Sequence, residues 1–91
     1  MNPNPVLARS DEWVVTKWRD GFAFQWNGPQ GEHPAEVEGR PVNRHGRVTG
    51  MKCGEAAALA VSLGLRAVPG VQGGAYFRRD HAAAQAEQVR S

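Results

Sequence analysis

The sequence lacks most of the features that reveal the activity of a short chain. It has a single cysteine in 91 residues, which excludes an internal disulfide and suits a reducing compartment. No apolar run approaches the roughly 18–20 residues needed to cross a bilayer. The first residues lack the basic start and the continuous apolar stretch of a secretory signal. We therefore expect a soluble, cytoplasmic protein with no membrane role.

Motifs for catalysis, metals and cofactors are missing as well. Cys53 could act together with His33, His45 or His81, but no C-x-x-C or H-x-x-x-H spacing accompanies them. The glycine-rich segment 69–74 precedes a predicted strand, whereas a phosphate-binding loop follows a strand and opens a helix. We therefore predict that the protein is not an enzyme and that it has no catalytic residue, metal or cofactor.

What is present fits one small domain that spans residues 1–91. Hydrophobic residues make up 41% of the chain and charged residues 22%, which are ordinary values for a globular protein. Two Asn-Pro pairs fall within residues 1–10, and a residue before proline is pushed away from helix. We predict an extended or frayed tail over that segment.

Aromatic residues are concentrated near the start of the chain. All three tryptophans and two of the three phenylalanines lie within residues 13–27, which predicts an N-terminal β-hairpin that supplies the core. A three-residue Arg19-Asp20-Gly21 loop, with Gly21 left-handed, pairs Trp18 with Phe22. The core face then consists of Val14, Thr16, Trp18, Phe22, Phe24 and Trp26, and the outer face of Trp13, Val15, Lys17, Ala23 and Gln25. The alternative, a two-residue Asp20-Gly21 turn, scatters the aromatic residues over both faces.

The main helix is the clearest element after the hairpin. Its apolar stripe consists of Cys53, Ala56, Leu59, Ala60 and Leu63. Gly64 follows where a left-handed C-cap belongs. The main helix and the hairpin together indicate a helix packed on a sheet.

Shorter elements complete the prediction. Residues 36–42 could add a third strand, which Pro41 confines to an edge of the sheet. Residues 44–46 are predicted to form a turn, and residues 47–49 to lead from it into the main helix. Residues 66–74 are predicted as a loop, 75–79 as a last strand, and 82–90 as a final helix capped by Asp80. The predicted fold is therefore α+β: a small antiparallel sheet, made of the hairpin plus one or two further strands, packed on one main helix, with a short C-terminal helix.

Charge is distributed unevenly behind a net charge of +2. Residues 1–38 carry three basic against six acidic side chains, a net of −3, whereas residues 39–79 carry seven basic against one acidic, a net of +6. Separation of positive from negative charge along the chain indicates which partners the protein could bind, and it does not indicate the fold. The basic side chains that we predict to bind a partner are Arg40, Arg44, His45, Arg47, Lys52, Arg78 and Arg79.

Trp13 is the predicted apolar contact for a partner, because the preferred register places it on the outer face beside Lys17. The alternative is that the terminal helix or the N-terminal tail covers it. A protein with an acidic surface is the first partner hypothesis, since guanidinium groups pair well with carboxylates. Direct binding of DNA or RNA through residues 40–52 is the second hypothesis.

Two resemblances bear on these hypotheses. The order of elements from Trp13 to Leu65, a three-stranded sheet followed by an alanine-rich helix, is similar in outline to the DNA-binding arm domains of phage integrases, which lay the sheet in a groove. That resemblance implies direct nucleic-acid binding. The size of the chain and its lack of catalytic motifs resemble the small α+β inhibitor proteins of bacteriophages, including anti-CRISPR proteins. This second resemblance implies an inhibitor that binds a nucleic-acid-handling complex through a protein interface.

Overall fold

The computed structural model describes residues 5–70 and 74–90 and confirms a small α+β fold. Its elements, in chain order, are β1 (Val6–Arg9), β2 (Trp13–Trp18), β3 (Gly21–Trp26), β4 (Glu36–Val37), β5 (Arg40–Pro41), β6 (Arg47–Met51), α1 (Cys53–Ser62), β7 (Arg66–Ala67) and α2 (Ala75–Arg90). Five strands form an antiparallel sheet in the order β6-β3-β2-β1-β7, and β4 and β5 form a separate two-stranded sheet. Both helices lie on one face of the larger sheet, because their buried residues share a single core with it.

The predicted register of the β2–β3 hairpin is wrong. Trp18 pairs with Gly21 and Trp13 pairs with Trp26, so the turn contains only Arg19 and Asp20. The face toward the helices therefore carries Trp13, Val15, Lys17, Phe22, Phe24 and Trp26, and the opposite face carries Val14, Thr16, Trp18, Ala23 and Gln25.

The close approach of β6 to Gly21 and the burial of Trp13 and Val15 explain this register, at the cost of a strained turn residue. Arg19 adopts a left-handed φ of 53°, which costs a non-glycine residue roughly 1–2 kcal/mol. Gly21 is required in the strand rather than in the turn, because a Cβ there would lie 2.5 Å from the carbonyl oxygen of Met51 in β6. The same register buries Trp13 and Val15, which are 4% and 0% exposed. Burying each of these side chains stabilises the fold by about 1.5–3 kcal/mol, which exceeds the cost of the turn.

The N-terminal segment contributes a strand inside the sheet. Residues 6–9 are extended, but they form β1 rather than a frayed tail, because β1 pairs with β2 on one side and with β7 on the other. Leu7 and Ala8 are buried as a result. β7 also replaces the beginning of the loop predicted over residues 66–74, of which residues 71–73 lie outside the described residues.

The main helix, α1, follows the prediction closely. Its stripe faces the core, with buried or half-buried side chains at Cys53, Ala56, Leu59, Ala60 and Leu63. Gly64 has a left-handed φ of 75°, as expected for the C-cap. The amide of Leu65 donates a hydrogen bond to the carbonyl of Ala60 at 2.8 Å, which closes the last turn in the usual manner for such a cap.

The strand predicted over residues 75–79 is wrong, and so is a separate helix that begins after Asp80. One continuous helix, α2, covers Ala75–Arg90. Phe77 and His81 are 1% and 4% exposed, and they lie one helical turn apart on one face. A run of three apolar residues does not distinguish a strand from a helix. The helical signal is the spacing of Phe77 and His81, which is easily missed because histidine is usually counted as polar.

The segment between residues 36 and 51 also differs from the prediction. β4 and β5 pair with each other around Glu38 and Gly39, both of which have a left-handed φ, and neither strand joins the five-stranded sheet. Residues 47–51, predicted to lead into the helix, instead form β6 at the edge of that sheet beside β3. The sheet is therefore wider than the hairpin alone predicts.

The register makes a specific prediction for position 19. We expect the Arg19→Gly variant to be more stable than the Arg19→Ala variant by about 1 kcal/mol, because both lose the guanidinium and only glycine adopts a left-handed φ without strain. Free energies of unfolding from urea denaturation measure the difference. At ordinary dihedral angles alanine is the more stable of the two, so an alanine variant at least as stable as the glycine variant contradicts this register.

Candidate functional site

The face of the five-stranded sheet that is turned away from both helices is the strongest candidate for a binding surface. We call it the open sheet face. It is formed by alternate strand positions, namely Val6, Arg9, Val14, Thr16, Trp18, Ala23, Gln25, Arg47 and Arg66. None of these side chains belongs to the core that the helices cover. All of them except Ala23 are partly or fully exposed, and none is acidic.

Trp18 is the aromatic residue of this face, and two guanidinium groups lie over its ring. The Cζ atom of Arg47 is 4.6 Å from the ring centroid and that of Arg19 is 5.7 Å away. Both distances fall within the range of about 6 Å over which a cation is attracted to an aromatic face. The indole is half-buried rather than covered, so part of its surface is accessible to a ligand.

Uncharged neighbours hold Arg47 in this position. Gln25 accepts a hydrogen bond from Nε of Arg47 at 2.9 Å through Oε1, and its Nε2 donates to the carbonyl of His45 at 3.0 Å. The Oδ1 atom of Asn43 accepts from the backbone amides of His45 and Arg47 at 2.9 and 3.0 Å, which shapes the turn before β6. The guanidinium is thus oriented without being neutralised.

The arginines of the open sheet face form no direct ion pairs with carboxylates of the described residues, although Asp11 and Asp20 line clefts at its edges. Within residues 5–70 and 74–90, no carboxylate oxygen lies within 4.0 Å of the arginines on or beside this face, which are Arg9, Arg19, Arg47 and Arg66. Uncompensated guanidinium groups on one face produce a local positive potential that attracts anions.

The basic residues predicted between 40 and 52 are divided between two sides of the sheet. Arg40 donates a hydrogen bond to Oε2 of Glu55 in α1 at 3.0 Å. That hydrogen bond, and then one from the backbone amide of Lys52, lower the pKa of the Glu55 carboxyl. The other exposed members of the group are Arg44, His45 and Lys52. Of the whole group, Arg47 is the member at a strand position on the open sheet face, and Lys52 lines a cleft together with Trp18 and Arg19.

The prediction that Trp13 is an exposed contact for a partner is wrong. Its side chain is 4% exposed. Its ring packs edge-to-face against Trp26, with centroids 5.3 Å apart, and against Phe24, at 6.5 Å. Trp18 occupies the outward position that the predicted register gave to Trp13.

Arg78 and Arg79 lie on α2, on the core side of the sheet, and not on a strand. The Cζ atom of Arg79 is 5.1 Å from the ring centroid of Tyr76, and its Nε is 3.7 Å from Oδ1 of Asp80. Tyr76 is 70% exposed. These residues form a second, smaller cluster that is separate from the open sheet face.

Cys53 lies half-buried at the start of α1, against α2. Burial and then a hydrogen bond to Asp80 raise the pKa of its thiol to about 11, and a protonated thiol is a poor nucleophile and a poor metal ligand. No group of three or more His, Cys, Asp or Glu side chains suited to a metal ion occurs in the described part of the chain.

Most of the open sheet face was missed from the sequence. Arg9 and Arg66 are distant in the chain and become neighbours through the pairing of β1 with β7. Trp18 was assigned to the core by the wrong register. The signal that could have found this face is the alternation within β2, where Trp13 and Val15 alternate with Thr16 and Trp18.

No protein family, curated protein or solved structure matches the chain. Among the described residues, no helix is long and apolar enough to span a membrane. A functional interpretation therefore depends on the geometry and charge of the open sheet face.

The raised pKa predicts slow alkylation of Cys53. At pH 8 roughly one thiol in a thousand is ionised when the pKa is about 11, and the thiolate is the reactive form. We expect the folded protein to react with iodoacetamide at least about 100-fold more slowly than the unfolded chain, whose thiol has an ordinary pKa near 8.5. The rate should rise with pH toward 11.

Asp80→Asn provides the matched variant for this measurement. Removal of the carboxylate eliminates the charge repulsion that disfavours the thiolate and replaces a charged hydrogen-bond acceptor by a neutral one, so alkylation of the folded variant should be faster. Equal rates for the folded and unfolded wild-type chain at pH 8 would contradict the protonated, protected thiol.

Proposed function

We propose that the protein binds single-stranded nucleic acid across the open sheet face. The observation that supports this proposal most strongly is a partly exposed tryptophan with two arginines at its ring, on a face where Arg9 and Arg66 add further positive charge. None of the four arginines forms an ion pair in the described residues. Aromatic side chains that stack on bases, combined with cations that follow the phosphate backbone, are the usual components of such sites.

The charges of the face favour a polyanion over an ordinary protein surface. Specific protein interfaces depend on a buried apolar centre with aromatic anchors. The residue predicted for that role, Trp13, lies inside the core. What remains exposed is positive charge distributed from Arg9 and Arg66 at one side of the sheet to Arg47 at the other. Distributed cations match a chain of phosphates better than they match a compact apolar epitope.

The width of the sheet favours a single strand over a duplex. Five strands at intervals of about 4.8 Å span roughly 19 Å, whereas the major groove of B-DNA is about 12 Å wide and admits a two-stranded ribbon. The three-stranded arrangement implied by the resemblance to integrase arm domains is therefore not the one present. A flexible single strand can lie across a broad sheet.

Each side chain has a distinct role in this proposal. Trp18 stacks on a base, which contributes about 1–3 kcal/mol per base. Arg19 and Arg47 contact phosphates on either side of that base. Gln25 is a positioning residue, because it hydrogen-bonds Arg47 without adding charge.

Binding is tested by fluorescence anisotropy with short, labelled single-stranded DNA and RNA. We expect binding at low salt, with a slope of log affinity against log salt of about −0.7 per phosphate contact. Arg47→Glu should weaken binding about tenfold or more, since it removes a charge-assisted contact and adds a repulsive charge. Arg79→Glu makes the same change in net charge on α2 and should leave binding nearly unchanged.

Three results would contradict the proposal. One is no binding of either oligonucleotide at low salt. Another is an equal loss of affinity in Arg47→Glu and Arg79→Glu, which shows a response to net charge alone. The third is tighter binding of a duplex of the same sequence, which contradicts the assignment of a single strand.

A protein partner is the second candidate, and the cluster of Tyr76 and Arg79 on α2 favours it. Tyrosine and arginine are enriched at protein interfaces, and Tyr76 is 70% exposed. The inhibitor function expected from the sequence would then act through α2, on a partner with an acidic surface. Tyr76→Ala and Arg79→Glu should reduce capture of that partner from the native host, whereas Arg47→Glu should not. Capture that is lost in Arg47→Glu and retained in Tyr76→Ala and Arg79→Glu would exclude α2 as the interface.

A further inference from the structure

Two arginines face each other across neighbouring strands at one side of the open sheet face. Arg9 in β1 is directly opposite Arg66 in β7, and both side chains are exposed. Directly opposite residues of an antiparallel pair have Cβ atoms about 4.5–5.5 Å apart, and like charges at such positions destabilise the sheet. The stability of the strands therefore does not account for this pair.

Neither arginine forms a direct ion pair within the described residues that would cancel the repulsion. No carboxylate oxygen lies within 4.0 Å of either guanidinium in residues 5–70 and 74–90. The C-terminus of α1 is also close in sequence, and three of its last four carbonyls are already occupied, since Leu63, Gly64 and Leu65 donate to Leu59, Val61 and Ala60. Among the hydrogen bonds of the described residues, none joins Arg66 to that helix.

The pair opens onto a wide cleft with a volume of about 790 Å³. The cleft is lined by Arg9, Ser10, Asp11, Asn27, Gly64, Arg66 and Val68. Ser10 accepts hydrogen bonds from the amides of Glu12 and Trp13 through Oγ, so its hydroxyl hydrogen is available to a ligand. Asn27 adds an amide group. Asp11 is the one acid in the lining, and it is not within ion-pair distance of either arginine.

We propose that Arg9 and Arg66 form a binding site for a phosphate monoester. Such a group carries close to two negative charges at neutral pH, which matches two guanidinium groups. Each guanidinium can bind two phosphate oxygens with parallel hydrogen bonds. An internal phosphodiester, with one negative charge, matches the pair less well.

Two sources can supply this phosphate. One is a free compound such as a mononucleotide. The other is the terminal phosphate of a strand that lies on the open sheet face, and this second source rests on the function proposed above. The cleft lies at the β1–β7 side of that face, where the end of a bound strand would leave the sheet.

The site is tested by titrating inorganic phosphate into ¹⁵N-labelled protein and following the backbone amides in ¹H–¹⁵N spectra. We expect saturable shifts confined to the residues that line the cleft. Arg9→Gln and Arg66→Gln should each weaken binding about tenfold or more, and each should raise the melting temperature measured without phosphate, because the like-charge repulsion is removed. Arg44→Gln, which removes one positive charge from an exposed side chain beside the opposite edge of the sheet, is the control and should change neither quantity.

Failure of this inference is distinguishable from failure of nucleic-acid binding. Absence of saturable shifts, or identical shifts in Arg9→Gln and Arg66→Gln, overturns the phosphate site whether or not oligonucleotides bind. Where phosphate does bind, oligonucleotides with a 5′-phosphate, a 3′-phosphate or no terminal phosphate identify the source. A preference for one phosphorylated end that is lost in Arg66→Gln indicates the strand terminus. Equal binding of all three indicates a free phosphate compound.

Discussion

The cross-strand pair of Trp13 and Trp26 is the constraint on which the rest of the structure depends. Their ring centroids are 5.3 Å apart, and because side chains alternate along a strand, the same pairing turns Val15 and Phe24 inward. It also directs Trp18 outward to the open sheet face. That face is therefore a consequence of how the core is packed, and a slip of one residue would exchange the two faces.

The parts of the fold that depend on local patterns were predictable, and the hairpin register was not. The stripe and left-handed cap of α1 follow from the spacing of apolar residues and from Gly64. The turn was misjudged because glycine is the strongest turn signal in a sequence. Gly21 instead allows the close approach of Met51, and Arg19 takes the left-handed conformation. Recognising either role requires the position of β6, which comes from a distant part of the chain.

The candidate site was less predictable than the fold, because its residues come from separate stretches of the sequence. Arg9, Trp18, Arg47 and Arg66 lie on β1, β2, β6 and β7, which the order of the sheet brings together in one layer. A count of charge along the sequence identifies a basic segment, but it does not show which of its basic side chains form ion pairs with carboxylates. Arg40 is neutralised by Glu55, whereas Arg47 is oriented by an uncharged amide and keeps its charge exposed.

The most direct test of this account follows the three indole N–H resonances in ¹H–¹⁵N spectra while a single-stranded oligonucleotide is added, with assignments from single Trp→Phe variants. Trp18 should shift and broaden as its ring contacts a base. Trp13 should stay unchanged in the core, as should Trp26, whose Nε1 donates to the carbonyl of Pro29 at 2.9 Å. A shift of Trp13 with Trp18 unmoved, or no indole shift at saturating ligand, would contradict the assignment of the faces and the function built on it.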